Sequence, residues 1–166
     1  MADQDSTLTK EYLQSIFDYK DGELYWKENR YRNKTKGKKA GSLDTKGYRF
    51  VRIQSKAHRV HRIIFLMHYG YLPDFIDHIN GNRLDNKIEN LRPCSMAENA
   101  RNCKKPKHNT SGYKGIRWRK DSNKWQVFFK VNKKYMSFGC YFDIEVAKFV
   151  AETMRYKYHK NFANNG

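Results

Sequence analysis

Two-thirds of the way along the chain the stretch KKPKHNTSG (104–112) offers no large apolar side chain to bury and carries Pro106 and Gly112. Such a stretch reads as a linker. A chain of 166 residues interrupted in this way has to divide its apolar side chains between two small domains, each with a modest core. The expected parts are 1–103, the linker at 104–112, and 113–162. Downstream of the linker, YKGIRWRK, KWQVFFKV and KYMSFGCY are three short segments rich in aromatic and basic residues, with turn signals in DSN and VNKK. They predict three strands. The last segment, DIEVAKFVAETMRYKYHK, is helical, with Ile144, Ala147, Phe149, Val150, Ala151 and Met154 as an apolar face to cover that sheet.

Upstream, the elements are mixed. Residues 9–18 predict a short helix with Thr9 as N-cap and Tyr12, Leu13, Ile16 and Phe17 on one face. Asp21-Gly22 marks a hairpin turn. GYRFVRI (47–53) alternates as a strand, and HRVHRIIFLMHYG (58–70) reads as a helix stopped by Gly70 and Pro73. FIDHI (75–79) reads as a strand, followed by turn-rich sequence to residue 93. Ser95 and Glu98 form a capping box that opens a helix at about 95–103.

Net charge is +17, from 34 Lys and Arg against 17 Asp and Glu. The charge is blocked: residues 25–62 hold 13 basic and 2 acidic groups, 63–100 hold 3 and 5, and 101–140 hold 12 and 1. Two basic blocks imply a polyanionic partner, nucleic acid before others. The stretch 29–42 has no apolar period, so it is expected to be a loop or ribbon that is open to disorder without DNA. The acidic island between the blocks would repel phosphates, which suggests a bound cation there. Apolar residues are 39% of the chain and no run is long enough to span a bilayer, so no membrane partner is expected. The polar start MADQDSTLTK does not read as a signal peptide. Cys94, Cys103 and Cys140 form no CxxC pair, so neither zinc nor disulfides are expected, and the cytoplasm is the expected location.

The acidic island holds a suggestive set of side chains. Asp77 and Asn99 offer hard oxygen atoms suited to Mg²⁺, an ion that keeps waters and accepts substrate phosphate oxygens, with Mn²⁺ as a substitute. His78 suits a general base that deprotonates water. Asn90 is placed to orient His78. On a strand, neighbouring residues point to opposite faces, so Asp77 and His78 meet at one point only if the strand bends. The same residues also read as turn caps and ordinary loop asparagines, and residue types alone do not choose. His61 reads as a half-buried helix histidine, and His58, His68 and His108 as solvated.

The run from HRIIFLMHYG through DHINGNRLDNKIENLRPCSMAENARN resembles the HNH endonucleases of the ββα-metal class, in the H-N-N form carried by phages as homing or free-standing enzymes. His78 precedes Asn90 by twelve residues and Asn99 by twenty-one. The resemblance, over about 45–103, implies His78 as the general base, Asp77 and Asn99 as ligands of a divalent ion, and Asn90 as the residue that positions the base. The zinc-knuckle cysteines of some relatives are absent. Residues 111–160 resemble the apetala/ethylene-response-factor DNA-binding domain, through YKGIRWR, KW, FG and the KYH ending. That resemblance implies a DNA-reading sheet face with Lys114, Arg117, Arg119, Lys124, Trp125 and Lys130 as contacts. Phe128, Lys130 and Ser137 depart from its pattern, so no target sequence carries over.

The expectation is therefore an α+β protein with a ββα-metal nuclease core followed by a small three-stranded antiparallel sheet packed by one helix. It would act as a divalent-metal-dependent endonuclease on double-stranded DNA. A monomer is expected, with a dimer as the alternative, in the host cytoplasm if the chain is phage-encoded. The alternatives are a sequence-specific DNA-binding regulator with an inactive nuclease core and, less favoured, an RNA-binding protein.

Overall fold

A computed structural model describes residues 8–30, 34–102 and 108–165. The chain divides into two compact units, Met1–Ser95 and Met96–Gly166. Among the described residues there are four α-helices and four small antiparallel sheets, a mixed α and β architecture as expected.

In the first unit, α1 (Lys10–Ile16) begins where expected: the Thr9 hydroxyl accepts from Tyr12 N at 3.2 Å. The chain then extends at Phe17 into β1 (Phe17–Lys20), which pairs with β2 (Glu23–Trp26). Asp21 and Gly22 make the turn with φ of 48° and 82°. Two successive left-handed residues give the turn twist that matches paired strands. The basic stretch is ordered over 34–42. Ala40 is fully buried and its N–H donates to Leu24 O at 2.7 Å, so a small apolar side chain docks a ribbon that composition alone left open to disorder. Residues 31–33 of that stretch lie outside the described residues.

A second sheet runs β3 (Ser42–Leu43), β4 (Arg49–Ile53), β5 (Lys56–Arg59) in that order. His58 and Arg59 belong to β5, facing Val51 and Phe50, so the helix α2 (Val60–Tyr69) starts two residues later than the sequence suggests. A tight turn at Gln54 and Ser55, with φ of 49° and 67°, lets the strand pairing run on to Arg59. α2 is the centre of the core: Val60, Ile63, Ile64, Phe65, Leu66 and Met67 are buried with Leu13, Phe17, Leu24, Val51 and Ile53. It ends at Gly70, with φ of 76° and the Gly70 N–H on Leu66 O. β6 (Phe75–His78) then pairs with β7 (Leu91–Cys94), after a 3₁₀ turn at Ile88–Asn90. The turn-rich reading of 79–93 misses β7. It forms because Leu91, 4% exposed, closes the core opposite His78.

The second unit contains α3 (Met96–Arg101), the sheet β8 (Ile116–Arg119), β9 (Lys124–Val131) and β10 (Lys134–Tyr141), and α4 (Ile144–His159). The strand order is β10-β9-β8, so the longest pairing is the hairpin turned at Asn132 and Lys133. Ile116, Val127, Phe129 and Val131 pack with Ala147 and Ala151 of α4. Phe149, expected on the buried face, is 70% exposed. The face α4 buries runs through Ala147, Ala151, Arg155 and His159, so a buried cation and an imidazole occupy helix positions that a hydrophobicity reading gives to apolar residues. α3 is tied to the chain's end, where Asn164 Nδ2 donates to Asn102 O at 2.8 Å. Residues 104–107 of the expected linker, with residue 103 before them, lie outside the described residues. Its remainder is folded, with the Ser111 hydroxyl donating to Ile116 O at 2.8 Å. No described helix is long and apolar enough to cross a membrane.

Candidate active site

β6 ends at His78, and its last two side chains are both 5% exposed. The ladder with β7 is regular over four residue pairs, so Asp77 and His78 leave the strand on opposite faces, at its C-terminal end. Asp77 lies opposite Arg92. Its Oδ2 accepts from Arg92 Nε at 2.9 Å and from Nη2 at 2.7 Å, a charge-assisted pair across the strands.

His78 sits among aromatic rings and one carboxamide. Its Nε2 lies 3.0 Å from Asn86 Oδ1. A carboxamide oxygen only accepts, so Nε2 carries the proton and Nδ1 is the ring's basic nitrogen. Asn86 is 1% exposed, and its Nδ2 is buried without a hydrogen-bond partner among the described residues. The His61 ring meets His78 edge-on with 5.0 Å between centroids, and the Tyr48 ring is 5.4 Å from His61 and 6.2 Å from His78. Burial lowers the His78 pKa, against the opposing hydrogen bond to Asn86 and the charges of Asp77 and Asp85. Burial, with His78, Arg59 and Arg62 nearby, lowers the pKa of His61 to about 3. At neutral pH both rings are uncharged, the state a proton acceptor needs.

Asn90, expected beside His78, has a different set of partners. Its Oδ1 accepts from Asn80 N at 3.0 Å, while Nδ2 donates to Asn80 Oδ1 at 3.0 Å and to Asp85 O at 2.7 Å. Its carbonyl accepts from Ile79 N. Asn90 thus clasps the turn that follows His78, and Asn86 is the carboxamide that touches the ring. Sequence reasoning overlooked Asn86 because LDN looks like any loop. It set His61 aside as half-buried, whereas the residue is 4% exposed and its ring meets His78 edge-on. The spacing of His61 to Arg62 and the apolar run on α2 carried no sign of that contact.

The N-terminal hairpin supports this corner. Tyr19 Oη accepts from Ile88 N at 3.1 Å. At Gly22 a Cβ would lie 2.6 Å from Lys87 N and 2.9 Å from the carbonyl carbon of Asn86, so the turn presses on the backbone that carries Asn86. Only glycine fits there, for space and for φ.

Residues 58–101 match the HNH endonuclease family, a span that includes Asp77, His78, Asn86, Asn90 and Asn99. The chain is also 36% identical over 110 residues to Protein 3.8 of Escherichia phage T7, an alignment covering 65% of this chain and 90% of that protein. The chain belongs to the family of Protein 3.8 and carries an HNH endonuclease domain. No solved structure matches it. The HNH domain makes this a nuclease-type enzyme at the level of the family and implies a nucleic-acid substrate.

Asn99 of the HNH domain lies on α3, half-buried, in the second unit. Among the described residues no three His, Cys, Asp or Glu side chains form a cage for a metal.

On the sheet of the second unit, the side away from α4 carries Arg117, Arg119, Lys124, Gln126, Phe128 and Lys130. Arg117 Nε donates to Gln126 Oε1 at 3.0 Å, and Gln126 Nε2 donates to Ser137 Oγ at 2.9 Å, linking all three strands. The Arg117 guanidinium lies 4.3 Å over the Phe128 ring. Arg119 is held by Asp121, and Lys130 lies 5.7 Å over Tyr135. Lys124 sits over Phe142 at 4.4 Å. Trp125, expected with these residues, packs on the core side of the sheet, edge-on to its cross-strand neighbour Trp118 at 4.8 Å. Strand alternation puts it there. Lys114 precedes β8, and its Nζ donates to Arg101 O at 2.9 Å.

Proposed function

We propose that the protein is a divalent-metal-dependent DNA endonuclease whose base is neutral His78. The observation that carries this reading is the buried imidazole at the end of β6, with Nε2 donating to Asn86 inside a matched HNH domain. In that tautomer Nδ1 takes a proton from water; the hydroxide bonds to phosphorus as the P–O bond to the departing strand end breaks, and solvent protonates the leaving oxygen. Asn86 keeps the ring oriented as it becomes charged, and its carboxamide oxygen stabilises the imidazolium. Asn90 fixes the turn on which Asn86 and Asp85 ride.

Asp77 and, by its position twenty-one residues after His78 in the sequence, Asn99 would hold Mg²⁺ or Mn²⁺. When bound, such an ion stabilises charge on the transferring phosphate and on the leaving oxygen. Arg92 holds the Asp77 carboxylate in one direction through two hydrogen bonds. The sheet β8–β10 binds duplex DNA through Arg117, Arg119, Lys124 and Lys130. Arg117 is the best-placed base reader, because Gln126 and Phe128 hold its Nε and its face while the two terminal nitrogens remain for a guanine edge.

Incubation of supercoiled plasmid with Mg²⁺, comparing wild type, wild type with EDTA, and His78→Ala, tests the reading. Nicked or linear product from wild type alone supports it. Equal cutting by His78→Ala overturns the assignment of the base. A second reading, a DNA-binding regulator with an inactive core, is favoured by one observation: Arg92 already occupies one oxygen of Asp77 with two hydrogen bonds. Tight duplex binding by wild type with no cutting in Mg²⁺ or Mn²⁺ would select it.

A further inference from the structure

Beside His78, the half-buried Tyr48 ring is covered by two guanidinium groups. Arg59 lies 4.2 Å and Arg83 4.8 Å from its centroid. The three residues come from separate segments: Tyr48 precedes β4, Arg59 ends β5, and Arg83 lies in the turn after β6. Arg83 is further anchored by Nη1 on Lys46 O at 2.8 Å. Both arginines are exposed, and among the described residues neither has a carboxylate partner. Arg62, one turn along, is instead committed to the carbonyls of Pro73 and Asp74 at 3.3 Å.

Two like charges on one ring repel each other, and Arg59 stands at the N-terminal end of α2, where no acidic residue lies in the first turn and the helix dipole already disfavours a cation. Among the described residues no carboxylate forms an ion pair with either guanidinium. A bound anion would offset this gathering of positive charge. Guanidinium groups stacked on an aromatic ring keep their edges free for bidentate contact with phosphate oxygens, and stacking removes the rotamer freedom that such contacts otherwise cost. The Tyr48 ring centroid lies 6.2 Å from that of His78, so a phosphate held on these arginines lies near the base.

We propose that Arg59 and Arg83, mounted on Tyr48, form a clamp for backbone phosphates that seats a DNA strand beside His78. The clamp rests on the nuclease reading for its role in cutting, but not for its contact with DNA. Binding of the full-length chain to a duplex oligonucleotide is therefore measured first in EDTA, as a function of salt, for wild type, Arg59→Gln, Arg83→Gln and the double variant. Each lost phosphate contact should make the slope of log affinity against log salt shallower by about 0.9. Plasmid cutting in Mg²⁺ is measured second, adding Tyr48→Phe and Tyr48→Leu. The double variant should raise KM by about tenfold or more, reflecting two lost charge-assisted contacts, with kcat less affected. Tyr48→Phe, which keeps the ring, should behave as wild type, and Tyr48→Leu should raise KM. A double variant with the wild-type salt slope overturns the clamp, whatever happens to cutting. A shallower slope in a chain that never cuts keeps the clamp and fells the nuclease reading alone.

Discussion

His78 and His159 are both nearly buried histidines whose Nε2 has a hydrogen-bond partner, and burial lowers the pKa of each. What they bind differs. His159 bonds the carbonyl of Lys130, an atom of the β9 backbone, at 3.1 Å, and so pins α4 to the sheet. His78 bonds the side chain of Asn86, which sits in a turn; Asn86 Nδ2 and His159 Nδ1 are both buried without a hydrogen-bond partner among the described residues. The pattern extends to their neighbours. In the second unit the buried Arg155 donates to Lys114 O and Asn165, and Ser111 donates to Ile116 O. In the first, His61, His78 and Asn86 face one another, with Asp77 paired to Arg92. Polar groups that close backbone valences hold a fold together. Polar side chains that face one another instead hold a geometry that the backbone does not need.

The sharpest way to break this comparison is His78→Ala. Loss of a general base should lower kcat by about 10²–10⁴-fold. The fold should survive, since the ring's bond to Asn86 is to a side chain, and duplex binding in EDTA should be retained. Circular dichroism alongside the cutting assay separates the two effects. Unfolding of the variant would place His78 with His159 as a structural histidine.

The converse test is Arg155→Met. It leaves Lys114 O without its buried donor, so destabilisation of the second unit by about 2–4 kcal/mol is expected. Cutting at saturating DNA should persist while affinity falls. Urea unfolding followed through Trp118 and Trp125, both in this unit, reads the stability directly. A variant as stable as wild type would mean that the buried guanidinium has no bracing role.

Within the first unit, Asn86 and Asn90 divide the comparison more finely. Asn86→Ala removes the partner of Nε2–H and frees the His78 tautomer. A loss of about 10–100-fold in kcat is expected, in keeping with the cost of removing a group that orients a catalytic histidine or metal ligand. Asn90→Ala removes the contacts that close the turn, and should cost more stability than rate. Single-turnover cutting with parallel thermal melts distinguishes them. The reverse ranking would restore Asn90 to the role that spacing gave it.

That pair also marks where the sequence stops being legible. Helix α1, the hairpin at Asp21-Gly22, strands β4 and β6, helix α2 and the three strands with α4 follow from periodicity, caps and turn residues, because those signals are local. β7 was missed, since Leu91 is recruited by the core opposite His78 and has no alternating neighbours of its own. Phe149 and Arg155 exchange the sides their polarity suggests, because α4 uses a carbonyl acceptor on Lys114 that sequence does not reveal. At the site, Asp77 and His78 are singled out by the HNH resemblance, since residue types alone do not choose. Asn86 and His61 are not, because their meaning lies in contacts made by a turn and a helix that fold back from elsewhere. Trp125 was placed on the wrong face by analogy, although its pairing with Trp118 decides the matter by alternation alone.

The smallest effect is also the most specific to the first unit. His61 titrates at about 3 when folded, against an ordinary value of 6.5, with burial the main cause and His78, Arg59 and Arg62 adding to it. Above pH 6.5 neither state takes the proton, so stability is unaffected. Below it the unfolded chain is protonated and the folded one is not, so stability falls as pH drops and continues to fall until about pH 3. One unit below the unfolded value, at pH 5.5, the loss amounts to about 1.4 kcal/mol. His61→Phe keeps an edge for His78 and removes the titration. The difference between wild type and this variant, measured by urea unfolding at pH 7 and pH 5.5 through ring signals of the first unit, cancels the carboxylates common to both. A wild type that loses more than the variant by about this amount locates His61 in a dry pocket against the base. Equal losses would mean that water reaches the ring, and with it His78, so that the two histidines of the first unit would be no better shielded than a surface pair.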